Sequence, residues 1–174
     1  MQVFDEQIAE RLTAIRRDYI ARGIAVDMEQ HNLTVDFGSI NPNAISAAQT
    51  IRAPLEGQYW IFAWSIDYQT QAAPAAPLAI DPSQSSSYIG IRTGQNLKRL
   101  GKHVIPQSGD AHWLPIATCF GTGTAPFVLP FPLMLQPNDY LILELASPAA
   151  LAGRTILARL TTIGIKATLR KAPA

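Results

Sequence analysis

Gly57-Gln-Tyr-Trp-Ile-Phe-Ala-Trp-Ser-Ile-Asp-Tyr68 is the stretch on which the fold class turns. Trp60, Phe62, Trp64, Ile66 and Tyr68 occupy every second position, with Tyr59, Ile61, Ala63 and Ser65 between them. A period of two puts the first set on one face of an extended strand and the second set on the other. Aromatic and β-branched side chains suit a pleated surface. Spacing and composition therefore agree on one long strand.

The same period extends in both directions. Ile24–Met28 and Leu33–Phe37 read as short strands, Asn41-Pro42-Asn43 as a turn, and Ala44–Ala53 as a strand with small residues on one side. Further on, Tyr88–Arg92, Trp113–Phe120, Phe127–Leu129, Leu133–Leu135 and Asp139–Ala146 are strand candidates. In Arg154–Arg170, Ile156, Ala158 and Leu160 use even positions, whereas Leu157 and Ile163–Leu169 use odd ones. That switch predicts a bulge or bend near Thr161–Thr162, because one extra residue exchanges the faces. Residues 69–87 are rich in Pro, Ala, Gln and Ser and predict a long loop or covering arm. About nine short strands with turns between them predict a mainly-β fold, an antiparallel β-sandwich of jelly-roll type. No repeat of fixed period points to a solenoid or propeller.

The exception to period two comes first. Phe4, Ile8, Leu12, Ile15 and Tyr19 step by three and four, which aligns them on one side of an N-terminal α-helix. Asp5, Glu6 and Glu10 come early and Arg16, Arg17 and Arg22 late, complementing the helix dipole, and Gly23 supplies the stop. Residues 1–23 are thus read as an amphipathic helix and 24–174 as a single sandwich domain. The stripe either covers the protein's own sheet or docks on a neighbouring subunit, and three turns of helix do not discriminate.

Charge is scarce and unevenly placed. The chain has 174 residues, about one domain's worth, and only 16% are charged. Residues 1–36 hold 11 of the 27 charges, and between Ala111 and Leu143 the one formal charge is Asp139. Small monomers expose much of their surface and keep it solvated with charge. A stretch this poor in charge is expected to be partly covered by another chain, since interface centres are depleted of charge; the alternative is that its strands are interior. A net charge of +1 gives no global attraction to nucleic acid or an anionic membrane. Acids at the N-terminus do not resemble a signal peptide, and no run of about 18 apolar residues is present. One cysteine, Cys119, allows no internal disulfide. A reducing cytoplasm is the expected site of synthesis.

A search for chemistry yields little. Gly121-Thr-Gly123-Thr is followed by proline-rich strands rather than a helix, so it reads as a turn. His103, Asp110 and His112 are close in sequence, but Lys98, Arg99 and Lys102 beside them oppose a cation. Cys119 next to Phe120 reads as a buried thiol, and a Cys119–His112 pair has no supporting signature. Glu56, Asp67, Asp81, Asp110, Asp139 and Glu144 show no paired spacing. Arg92 and the Lys98–His103 cluster lack interleaved aromatics and read as a solvated loop. No catalytic residue, metal or cofactor is expected.

From Pro126 to Leu145 the chain reads PFVLPFPLMLQPNDYLILEL. Prolines oppose central sheet pairing, Pro137-Asn138-Asp139 makes a tight turn, and Tyr140–Leu145 enters a strand. This corner resembles that of jelly-roll sandwiches. With the N-terminal helix and the charge-poor body, it is similar to the small β-sandwich proteins of tailed-phage virions. Cupin-type enzymes share such a corner with glycine before the aspartate, where this chain has Asn138, and with histidine motifs it lacks. The resemblance implies a non-enzymatic structural protein: a head decoration, a collar or neck fitting, or a fibre or spike module. It implies a homo-oligomer made in the host cytoplasm, virion-associated, with itself and other virion proteins as partners. Neither nucleic acid nor membrane is an expected partner. Ile8, Leu12, Ile15 and Tyr19 are the candidates for helix docking or oligomer contact, and Phe127, Leu129, Phe131 and Leu133 for a subunit contact. The alternative is a glycan- or host-surface-binding module using Trp60, Trp64 or Trp113, and a third reading is a small metal-dependent β-barrel enzyme.

Overall fold

The computed structural model describes residues 2–72, 76–81, 85–93, 112–147 and 153–171. Helix α1 spans Gln2–Ala21 and stops at Gly23, whose φ of 70° suits glycine and whose amide donates to the Ile20 carbonyl. The strands that follow are β1 (Ile24–Gln30), β2 (Leu33–Ile40), β3 (Gln49–Arg52), β4 (Gln58–Gln71), β5 (Leu78–Ala79), β6 (Tyr88–Thr93), β7 (His112–Pro115), β8 (Phe127–Leu135), β9 (Tyr140–Ala146) and β10 (Thr155–Lys171). One short helix, α2 (Ile116–Cys119), follows β7. The fold is a mainly-β antiparallel sandwich with one N-terminal helix, as the alternation predicts.

β10 organises the first sheet. β1 and β2 lie end to end along one of its edges, and β4 runs along the other. β5 and β8 then share the far edge of β4. The second sheet has the order β3-β9-β6-β7. Counting each end-to-end pair as one strand, both sheets are four strands wide. Their inner faces meet in one core, where Ile61, Ile66 and Leu160 of the first sheet pack with Ile89, Leu143 and Leu145 of the second. β9 shows why: Leu141, Leu143 and Leu145 alternate inward while Tyr140, Ile142 and Glu144 stay half-exposed.

The faces of β4 differ from the simple alternation. Tyr59, Ile61, Trp64, Ile66 and Tyr68 all join the core, whereas Phe62 turns to the outside of the sheet. Phe62 is an extra residue, because Ile61 pairs with Gly164 and Ala63 with Ile163. Each side of this bulge keeps a period of two, but the inward positions change from odd to even. Gly164 fixes the place. A Cβ there would run into the Trp60 carbonyl oxygen and the Tyr59 ring.

The bulge expected near Thr161–Thr162 is therefore present one residue later in the pairing, with its extra residue in β4 rather than β10. Pairing of β10 with β1 and β2 keeps a constant register from Ile24↔Lys171 to Asp36↔Arg159. Ile165 and Ala167 are buried at odd positions because α1 covers the outer face at that end. A covering helix, not a face swap in β10, produced the change of pattern.

Other boundaries moved for local reasons. Of Ala44–Ala53 only Gln49–Arg52 is strand, and residues 69–71 continue β4 instead of starting a loop. Trp113–Phe120 is a short strand followed by one helical turn, in which the Phe120 amide donates to the Ile116 carbonyl. Pro115 has no N–H to continue the ladder. The turn lifts the chain across to the first sheet, where Phe120 stacks on Trp64 and the Gly121 carbonyl accepts the Ile66 amide. Cys119 is consequently half-buried at a helix end, not in a strand.

Two buried hydroxyls pair across β4 and β10. The Tyr59 hydroxyl and Thr162 Oγ1 are 2.6 Å apart, and Thr162 also donates to the Leu33 carbonyl. Burial pushes the Tyr59 hydroxyl up to about 12, opposed by the Thr162 hydrogen bond. A phenol with a folded pKa above its unfolded value near 10 stabilises fully below pH 10, and that contribution is lost as the pH climbs through about 12. The loss amounts to roughly 2–3 kcal/mol. Tyr59→Phe is expected to cost about 1 kcal/mol at neutral pH and to flatten the alkaline fall in denaturant stability. An unchanged alkaline slope would contradict this assignment.

Candidate assembly surface

The proline-rich segment builds the most unusual surface. β8 pairs with β4 in two pieces: Leu133–Leu135 opposite Tyr59–Ile61, and Phe127–Val128 opposite Ala63–Trp64. Residues 129–132 lie opposite the single bulged residue Phe62, so the chain has slack and arches away from the sheet. Pro130 and Pro132 cannot donate to a ladder, which keeps the arch open. Leu129 folds under it and is buried, and its carbonyl accepts a hydrogen bond from the Arg11 guanidinium of α1. Phe131 points outward and is 78% exposed, more than any other exposed large hydrophobic residue among those described.

The four candidates of this segment thus separate. Leu129 belongs to the chain's own core, and Phe127 and Leu133 pack half-buried against it. Only Phe131 is free to meet another molecule. Along the chain between 113 and 143, the other exposed side chains belong to Thr, Ala, Pro, Gln and Asn residues, while the Arg11 guanidinium of α1 lies beside the arch. The lone charge, Asp139, is buried, and its carboxylate accepts the Gln136 amide at 3.1 Å. It closes the turn in which Asn138 takes φ 69°, the left-handed position where glycine commonly stands. The charge-poor stretch is therefore not wholly interior, and what it exposes is uncharged.

α1 lies on the outer face of the first sheet. Tyr19 is buried, with its hydroxyl on Gln58 Oε1, and Gln58 in turn donates to Gln136. Burial pushes the Tyr19 hydroxyl up, offset in part by the Trp60 indole beside it. Ile8, Leu12 and Ile15 face the sheet but are only half-buried. Between the helix and β1 runs a groove of about 690 Å³, walled by Ile8, Leu12, Val26, Met28, Phe62 and Ile165. The helix stripe covers its own sheet, and does so incompletely.

Charge gathers on the opposite edge from β8. Asp27–Arg170 (2.7 Å), Glu29–Lys166 (3.1 Å) and Asp36–Arg159 (3.1 Å) are cross-strand ion pairs along β1, β2 and β10. The Gly38 amide, and then Arg159, hold the Asp36 carboxyl below its usual range. The β1 and β2 edge carries these ion pairs, whereas β8 itself contains no charged residue.

Nothing described gathers into a reaction centre. Among the described residues no three His, Cys, Asp or Glu side chains form a metal-binding group, and no helix is long and apolar enough to cross a membrane. His31 packs edge-on against Tyr59. His103, Asp110 and the basic Lys98–His103 segment lie outside the described residues. Gly121-Thr-Gly123-Thr is the expected turn, with Thr122 Oγ1 accepting the Ala125 amide. Trp64 is buried with its indole N–H on the Cys119 carbonyl, Trp113 lies half-buried over Gly90, and Trp60 is half-buried beside Tyr19.

No family model matches the chain, and no curated protein matches it. Among solved structures it is similar to the protein in the crystal structure of the decameric BFDV capsid protein. That similarity has 11% identity and a TM-score of 0.37, and it covers 84% of this chain and 99% of that one.

Sequence reasoning missed Phe62 and Arg11 as parts of this surface. Period two places Phe62 on the same face as Trp64, and only the bulge separates them. Arg11 lies off the apolar stripe of α1, which gave no reason to expect a partner on β8.

Proposed function

We propose that this protein is a non-enzymatic structural subunit that self-assembles through the β8 edge centred on Phe131, as a jelly-roll component associated with a virus particle. The single observation that carries this reading is Phe131, 78% exposed between two prolines on β8, a strand with no charged residue. Fully burying such a side chain is worth about 1.5–3 kcal/mol, which a lone monomer would forgo. The strand order supports the jelly-roll reading, since β1/β2-β10-β4-β8 faces β3-β9-β6-β7 as two interleaved Greek keys. The expected partners are copies of this chain and other proteins of a virion, such as the tailed-phage fittings its corner resembles.

Light scattering of the purified chain across concentration tests the reading. The intact protein is expected to give a mass above that of one 18.9 kDa chain, and Phe131→Asp to return it to monomer. A wild-type chain that stays monomeric at about 100 μM, where even an association of −6 kcal/mol is visible, would remove the proposal.

A further inference from the structure

Building on that assembly reading, we propose that Phe131 of one copy seats in the groove between α1 and β1 of a neighbouring copy. Strand addition at the edges of the first sheet is disfavoured. β8 carries Pro130 and Pro132, and β1 and β2 place Asp27, Glu29 and Asp36 along the other edge. Association through this sheet must then use side chains, and Phe131 is the largest exposed apolar one.

The groove has the complementary properties. Its wall is mixed, with Ile8, Leu12, Val26 and Met28 beside Thr13 and Gln30, and its volume of about 690 Å³ is ample for one aromatic side chain with its flanking prolines. Asp27 and Glu29 at its rim are already paired with Arg170 and Lys166, so they do not repel an uncharged arch. The third rim charge, Arg16, is a donor, and the arch offers acceptors. Pro130 and Pro132 contribute carbonyls and no N–H. The same chemistry already operates within one chain, where Arg11 on the same helix donates to the Leu129 carbonyl. Knob and groove are different surfaces, so each copy carries one of each, and the contact can repeat from copy to copy until it closes.

Two variants at exposed positions test the seat without disturbing the core. Phe131→Ser removes the knob, and Ala9→Glu places a charge in the groove wall. Each alone is expected to weaken association by at least about thirtyfold, as loss of an interface anchor does. An equimolar mixture is expected to form one-to-one pairs and nothing larger, because one intact knob meets one intact groove. If Ala9→Glu assembles like the wild type while Phe131→Ser does not, the seat lies elsewhere and the assembly reading stands. A mixture that fails to pair also overturns the seat. A wild-type chain that is monomeric in the same measurement overturns both.

Discussion

Gly121→Ala is expected to abolish folding or to lower stability by more than about 3 kcal/mol. A Cβ at Gly121 would collide with the Ala125 carbonyl oxygen, the Phe127 amide and the Pro126 backbone. All three are main-chain atoms of the turn that leads into β8, so no side-chain rotation relieves the clash. The same residue bridges to Ser65 and accepts the Ile66 amide at the edge of β4. Moving it would break that contact and displace Phe120 from its stack on Trp64, 5.0 Å between ring centres. Denaturant unfolding of the variant beside the wild type measures the effect. A loss under 1 kcal/mol would mean the turn has room that the packing around Gly121 does not show.

Deleting residues 2–21 is the second large effect. α1 covers Phe62 and Ile165, which are 1% and 6% exposed. Uncovering both costs roughly 3–6 kcal/mol in lost apolar burial, and the bared sheet face becomes a site for non-specific association. The truncated chain is expected to lose most of its soluble yield, to bind a hydrophobic dye, and to unfold at markedly lower denaturant. Tyr19→Phe is the milder companion, removing only the hydroxyl that meets Gln58. A truncated chain with wild-type stability would show that the sheet tolerates exposure there and that the helix stripe is spare.

The sequence made the strands legible because period-two alternation is a local property. It could not place the β4 bulge, because that feature arises where Gly164 of a distant strand crowds Trp60 and Tyr59. Burial at Ile165 and Ala167 imitated a face swap for a related reason, since a helix more than a hundred residues away covers them. The proline pair flagged the surface around Phe131, yet alternation could not tell Leu129 from Phe131. An arch opposite one bulged residue has no fixed face until β4 is in place. The groove was hidden more thoroughly. Val26 and Met28 alternating with Asp27 and Glu29 look like any edge strand, and only the lie of α1 makes them a wall.

Hydroxyl-radical footprinting of the intact chain at high and low concentration addresses the proposed contact of Phe131 with a second copy directly. Phe131 is expected to be oxidised freely in dilute solution and to become protected as the chain is concentrated, while exposed Leu55 and Leu78 keep their rates. Equal oxidation of Phe131 at both concentrations would contradict the account.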